Sequence, residues 1–280
     1  MSAARVLLLG GIAGATIFLG LPAGRIRRLS TSTRALLNAT AIGILLFLLW
    51  DVLSHAVEPV EKALTAAALD HTGTWLRFAG LASTFVLCLG VGLLSLVYYD
   101  RWLNRRARPY GPGAAAVDEL RTRGAGAMSH ASRLALLIAV GIGLHNFSEG
   151  LAIGQSAAKG EVSLALLLII GFGLHNATEG FGIIAPFATE AERPSWGYLA
   201  VLGVIGGGPT FIGTAIGRSF VNDTLFLGFL ALAAGSILYV ILQLVKMAFR
   251  MDHKEMLAWG ILLGFLLGLA TDFVLVAAGA

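Results

Sequence analysis

The sequence predicts an all-α fold, a polytopic membrane helical bundle of eight transmembrane helices. Two features of composition and one of pattern predict it. Hydrophobic residues make up 57% of the 280 and charged residues 13%, whereas a soluble domain carries about 25% charge. Mean hydropathy is +0.81. A helical span needs about 20 apolar residues, and eight low-charge windows of that length follow one another along the chain. Runs such as Ile42 to Leu49 and Leu164 to Ile170 are continuously apolar, which suits helices and excludes the alternating segments of a transmembrane barrel.

In order, the windows run from about 3 to 24, 35 to 57, 75 to 99, 133 to 157, 162 to 187, 196 to 217, 224 to 247 and 256 to 278. Only Arg5 precedes the first, and Arg25, Arg27 and Arg28 follow it, so it is expected to be a retained helix and not a cleaved leader. The whole chain, 1–280, then reads as a single transmembrane domain. Its one long connection, residues 100–132, is rich in Arg, Gly, Pro and Ala. That composition predicts a basic, partly flexible cytoplasmic loop with a short helical patch around Val117 to Thr122. Cys88, the single cysteine, falls inside the third span, which excludes an intrachain disulfide and a thiolate metal cluster.

Fifteen of the twenty Lys and Arg lie in the odd-numbered connections or at the span ends bordering them. The exceptions are Arg5, Lys62, Arg77, Lys159 and Arg218. By the positive-inside rule the odd connections face the cytoplasm and both termini face outward. The fourth span then runs outward and the fifth inward.

Those two spans repeat each other. At an offset of thirty residues His145-Asn146-Phe147-Ser148-Glu149-Gly150 falls on His175-Asn176-Ala177-Thr178-Glu179-Gly180, and Gly141, Gly143 and Leu144 fall on Gly171, Gly173 and Leu174. Consecutive spans are antiparallel, so the shared pattern H-N-x-[ST]-E-G forms a locally inverted pair, the arrangement that in transporters meets at a midplane site. Each histidine lies about a dozen residues, or about 18 to 20 Å, into its span. A carboxylate at that depth costs at least about 2.5 to 3.5 kcal/mol, so Glu149 and Glu179 need a strong partner or a proton. Histidine and glutamate four residues apart share a helix face. His145, Glu149, His175 and Glu179 together make a mixed nitrogen and oxygen set that suits zinc or another divalent first-row metal better than calcium or magnesium. Asn146 and Asn176 are rotated about 100° from their histidines, in place to add a second, oxygen-rich position. Ser148 and Thr178 either line the path or bond back to their own helix carbonyls.

The pattern resembles the ZIP family of divalent metal transporters from the second span to the seventh. The likeness rests on the two hexapeptides, on Pro186, on Trp50-Asp51-Val52-Leu53 and on Ala234-Gly235-Ser236-Ile237-Leu238-Tyr239-Val240. It implies eight spans, outward termini, a two-metal midplane site and metal movement toward the cytoplasm. Four departures stand against the family pattern. Ser148 and Thr178 replace the motif prolines, Gly207-Gly208-Pro209 lacks the glutamate usual before that proline, Leu242-Gln243 and Lys246 stand where a His-Glu pair is frequent, and the third connection contains only His130. One firm metal position and a weak or absent second are therefore expected.

Asp51, His55 and Glu58 are spaced to share one face at the outer end of the second span, where Asp51 and His55 are candidates to pass a metal toward the centre. Asp272, at similar depth on the eighth span, is expected to face the same vestibule. Gly260, Gly264 and Gly268, with Gly203 and Gly207, form small-residue faces that bring helices close and also suit a homodimer. Gly206-Gly207-Gly208-Pro209 is the expected break in a span and a candidate hinge.

The expected function is passage of a divalent metal cation, zinc before cadmium, iron or manganese, across a cell membrane to the cytoplasm. The metal is substrate, the bilayer is the other partner, and no organic cofactor, nucleic acid or enzymatic activity is expected. The alternative from another class is a membrane-embedded metalloenzyme or a metal sensor of the same fold. No H-E-x-x-H occurs, and the Glu-x-x-His pairs of carboxylate-bridged di-iron bundles are missing.

Overall fold

The computed structural model describes residues 2–26, 30–106, 128–158, 162–189, 193–219 and 222–277; within these ranges some side chains, that of His175 among them, lie outside the description. Every element among the described residues is helical. Seven stretches are long and apolar enough to cross a bilayer. An eighth helix, Val162–Ile184, is 23 residues long and packs among them, giving a multi-pass helical membrane bundle. Residues 107–127, which hold most of the expected basic loop and its helical patch, lie outside the described residues.

The first span is composite, with helices Ala3–Ala15 and Ile17–Gly20 and a 3₁₀ turn Leu21–Arg25. The others are Thr31–Ala68, Trp75–Arg106, His130–Ala158, Val162–Ile184, Trp196–Gly217, Asp223–Met251 and Lys254–Ala277. Starts follow local chemistry: Ser2, Ser30, Ser195 and Asn222 each accept a first-turn backbone N–H through the side chain, which satisfies donors that a helix leaves orphaned. The seventh span stops where Asp252 takes a left-handed conformation, φ 53°.

The second helix continues eleven residues past the expected end near 57, through Pro59. Proline in a helix deprives the carbonyl four residues earlier of its donor, here that of His55. The side chain of His55 is 61% exposed, so this stretch lies where solvent replaces the missing bond.

Glycines set which helices touch most closely. A Cβ on Gly14 would strike the Gly207 carbonyl, and one on Gly207 the Gly14 carbonyl, so the first and sixth spans cross with backbones in contact. The sixth packs along the fourth, where Gly150 meets Thr210 and Gly213 meets Phe147; the first packs along the fifth, where Gly180 meets Ile17 and Gly20 meets Ala177. In the remaining four, Gly43 and Gly264 join the second and eighth spans while Gly92 and Gly235 join the third and seventh. The bundle thus contains one glycine-joined set, spans 1, 4, 5 and 6, and two glycine-joined pairs, 2 with 8 and 3 with 7, which are linked where Asn38 Nδ2 donates to the Leu244 carbonyl. A shared core of Ile42, Leu45 and Leu48 with Ile138, Ile142 and Ile183 lies between them.

These contacts come in matched pairs. Gly150 on Thr210 corresponds to Gly180 on Ile17, and Gly213 on Phe147 to Gly20 on Ala177. Gly43 on Ile261 and Phe265 corresponds to Gly235 on Leu89 and Leu93, and Gly264 on Thr40 to Gly92 on Leu232. One operation therefore exchanges spans 1 and 6, 2 and 7, 3 and 8, and 4 and 5. Each exchange spans an odd number of crossings, so the axis lies in the membrane plane, as in inverted-repeat carriers.

The expected break at Gly206–Pro209 is not where the helix breaks: Trp196–Gly217 runs on through Pro209. The interruption is at Thr16, the symmetry mate of Pro209. There the Thr16 hydroxyl bonds to the carbonyls of Ala13 and Gly173, and the Ala13 carbonyl also accepts from Asn176. Competing side-chain donors, not a missing backbone N–H, loosen the helix.

Candidate metal centre

The fourth and fifth spans carry their hexapeptides into the most enclosed part of the bundle. His145, Asn146, Ser148, Glu149, Asn176 and Glu179 are all buried. A helix turn brings His145 Nε2 to 3.1 Å from Glu149 Oε1, as their spacing predicts. The second oxygen, Glu149 Oε2, is buried with no hydrogen bond among the described residues. Glu179, wholly buried, is within electrostatic reach of both His145 and Glu149 and faces the Asn146 amide.

The asparagines do a job that spacing alone did not indicate. Asn146 Nδ2 donates to the Gly206 carbonyl at 3.0 Å, and Asn176 Nδ2 donates to the Ala13 carbonyl at 3.0 Å. Gly206 and Ala13 are symmetry mates, so the two bonds are one bond repeated. Each amide clasps its span to the glycine crossing of the first and sixth, and leaves Asn146 Oδ1 and Asn176 Oδ1 buried without a partner among the described residues. The oxygens stay available to a cation while the nitrogens fix the side-chain orientation.

Ser148 Oγ sits 3.5 Å from the Leu144 carbonyl, a marginal bond back to its own helix. Thr178 instead lines an apolar cavity between the first, second, fifth and eighth spans. Among the described residues no three His, Cys, Asp or Glu side chains converge closely enough to hold an ion. The proposed fourth ligand, His175, has its backbone in the fifth helix and its side chain outside that description.

Asp51 and His55 come together midway along the second helix, with His55 Nδ1 3.5 Å from Asp51 Oδ1 and 2.9 Å from the Asp51 carbonyl. Asp51 is within electrostatic reach of His145 and Glu149 and of Asp272, so the expected outer group shares one space. Glu58 is taken by Lys62 at 2.5 Å. A cavity of about 1020 Å³ opens here, lined by His55, Glu58, Lys62, Arg77, Gln155 and Asn222 among others. Gln155 lies about 9 Å along the fourth helix from Glu149.

Sequence reasoning missed Thr16, Gly206 and Ala13 as partners of the motif. The only signal was the small residue facing each asparagine, in a chain with 36 glycines. Compared with models of known protein families the chain matches none, and no curated protein matches it.

Proposed function

We propose that the chain is a ZIP-like carrier that passes a divalent transition-metal cation, zinc foremost, toward the cytoplasm by way of His145, Glu149, His175 and Glu179. The observation that carries this reading is the duplicated H-N-x-[ST]-E-G on two buried antiparallel helices, with a histidine and a carboxylate in contact on the fourth. A carboxylate oxygen buried without a hydrogen bond among the described residues is costly in a membrane, and a cation relieves that cost. Imidazole and carboxylate together favour zinc, with cadmium, iron and manganese as competitors.

In this mechanism a hydrated ion collects in the outer cavity beside His55, and Asp51 and Asp272, within electrostatic reach of each other, offer oxygen donors on the way inward. It passes to the His145 and Glu149 pair, and Glu179 moves in to complete the ligand set. The asparagine clasps hold both helices to the first and sixth spans while the ligands reorganise. Inside-negative potential drives a divalent ion inward with about 4.6 kcal/mol per 100 mV. Binding needs neutral imidazole, so uptake is retained above the histidine pKa and lost as pH falls through it.

The test is zinc influx into proteoliposomes under inside-negative potential, for the wild type and Glu149→Ala, with bound metal measured on both. Flux that vanishes with Glu149 supports the carrier. Bound zinc with no flux in the wild type replaces it with a sensor or an enzyme, and uptake that rises steadily from pH 7.5 to about 5.5 replaces the neutral-imidazole site with proton-coupled or carboxylate-only binding.

A further inference from the structure

A cavity of about 250 Å³ lies between the first and fifth spans on one side and the second and eighth on the other, in the seam between the glycine-joined set and the glycine-joined pair of the second and eighth. Its wall is almost wholly apolar, with Ala23, Ala41, Ile44, Ile184 and Phe187 inside. The rim residues Ile26, Leu37, Phe181 and Leu267 are exposed large hydrophobics, which in a membrane bundle means that the opening faces lipid. Among the described residues the charged side chain that lines it is Arg193. The Arg193 segment is fixed next to the membrane interface: the Arg25 guanidinium donates to the Pro194 carbonyl and lies 5.0 Å over the Trp196 ring, and tryptophan with arginine marks headgroup depth.

The cavity exists because the internal symmetry fails here. Across the two-fold the equivalent seam is closed by Phe147 and Phe229, whose ring centroids are 4.7 Å apart. The residues in their places on this side are Ala177 and Leu37, which remove two rings from the seam. An apolar slot open to lipid, with Arg193 at headgroup depth, selects a ligand with a hydrocarbon tail and a negative head.

We propose that the slot seats one acyl chain of an anionic phospholipid from the surrounding leaflet, with its phosphate on Arg193. A guanidinium binds phosphate through charge-assisted, often bidentate hydrogen bonds. The seated chain touches Thr178, one residue from Glu179, and wedges between the two helix sets. Bound lipid therefore bears on the fifth-span motif without contacting any cargo.

The test is native mass spectrometry of the full chain released from nanodiscs of dioleoyl phosphatidylcholine with dioleoyl phosphatidylglycerol, comparing the wild type with Arg193→Gln and Ala23→Phe. The wild type is expected to retain one phosphatidylglycerol per chain in preference to phosphatidylcholine. Arg193→Gln should lower that retention about tenfold, and Ala23→Phe, which fills the slot, should abolish retention of either lipid. Equal retention of the two lipids by the wild type, or unchanged retention in both variants, overturns the site. The readout contains no metal, so this outcome and the fate of the carrier proposal are independent.

Discussion

The two groups of spans, 1, 4, 5 and 6 against 2, 3, 7 and 8, share glycine contacts and are equipped differently. Spans 2 and 8 join through Gly43 and Gly264, spans 3 and 7 through Gly92 and Gly235, and a bond from Asn38 Nδ2 to the Leu244 carbonyl links the two pairs. Spans 1, 4, 5 and 6 use the same kind of contact at Gly14, Gly150, Gly180 and Gly207, and add buried His145, Asn146, Glu149, Asn176 and Glu179. In lipid there is no water-driven force to press helices together, so close backbone approach and a few polar bonds must do it. The difference teaches that glycine contacts and a single buried asparagine bond suffice to hold the second group, and that the larger polar cluster of the first serves something besides assembly.

The largest expected effect tests the assembly half of that contrast. Gly207→Leu forces a side chain into the Gly14 carbonyl, and no rotamer avoids a backbone atom. Overpacking of this kind costs about 1 to 3 kcal/mol or more, and the melting temperature in detergent should fall steeply or folded protein disappear. Gly182→Leu is the control, since a Cβ there meets nothing within 4 Å; its melting temperature should be unchanged. Equal damage from the two would break the claim that backbone contact at the axis joins the set.

Removing chemistry without removing packing comes next. Glu149→Gln keeps the volume and loses the charge, and zinc flux should drop more than about a hundredfold, because losing even an outer-shell partner costs about 10 to 100-fold. Asp272→Asn, in the other set, should cost about tenfold or less if the outer group only concentrates the ion. A variant order reversed from this one would move the controlling site from the centre to the vestibule.

The asparagines sharpen the comparison within one set. Asn146→Ala and Asn176→Ala each delete one amide bond to a symmetry-related carbonyl. Polar bonds between membrane helices average about 0.6 kcal/mol and reach about 1.7, so the two melting temperatures should fall by similar small amounts. A larger fall for Asn146→Ala would report its amide facing Glu179, and a larger fall for Asn176→Ala would mean that the two-fold describes shape and not energetics.

How much of this was legible in the sequence follows from where each signal lies. Apolar windows and basic connections marked all eight helices, because span length and charge are properties of local composition. His145 and Glu149 were legible because a helix turn fixes their separation regardless of the rest of the fold. The two-fold was legible only in the fourth and fifth spans, where twelve residues around the motif match. Elsewhere it survives as single glycines such as Gly43 with Gly235 and Gly92 with Gly264, too few to align among the many others. The vestibule residues Asp51, His55 and Asp272 were placed by depth alone, and the slot beside Thr178 could not be read at all, since it results from two missing rings on different helices.

Thr16 and Pro209 give the smallest effect and the finest test of what the symmetry demands. Pro209 cannot donate to the Ile205 carbonyl, yet its helix is unbroken; Thr16 does donate to the Ile12 carbonyl, at 3.1 Å, yet its helix is interrupted. Pro209→Ala should add one backbone hydrogen bond, worth about 1 kcal/mol, and raise the melting temperature by a few degrees with no change in helix continuity. Thr16→Ala should remove the hydroxyl bonds to Ala13 and Gly173 and lower amide exchange across Thr16 as the first span becomes one helix. If Pro209→Ala is destabilising instead, the proline ring packed near Gly143 matters more than the lost donor. The two mates would then be alternative ways of loosening a helix beside an asparagine clasp, one through the ring and the other through the hydroxyl.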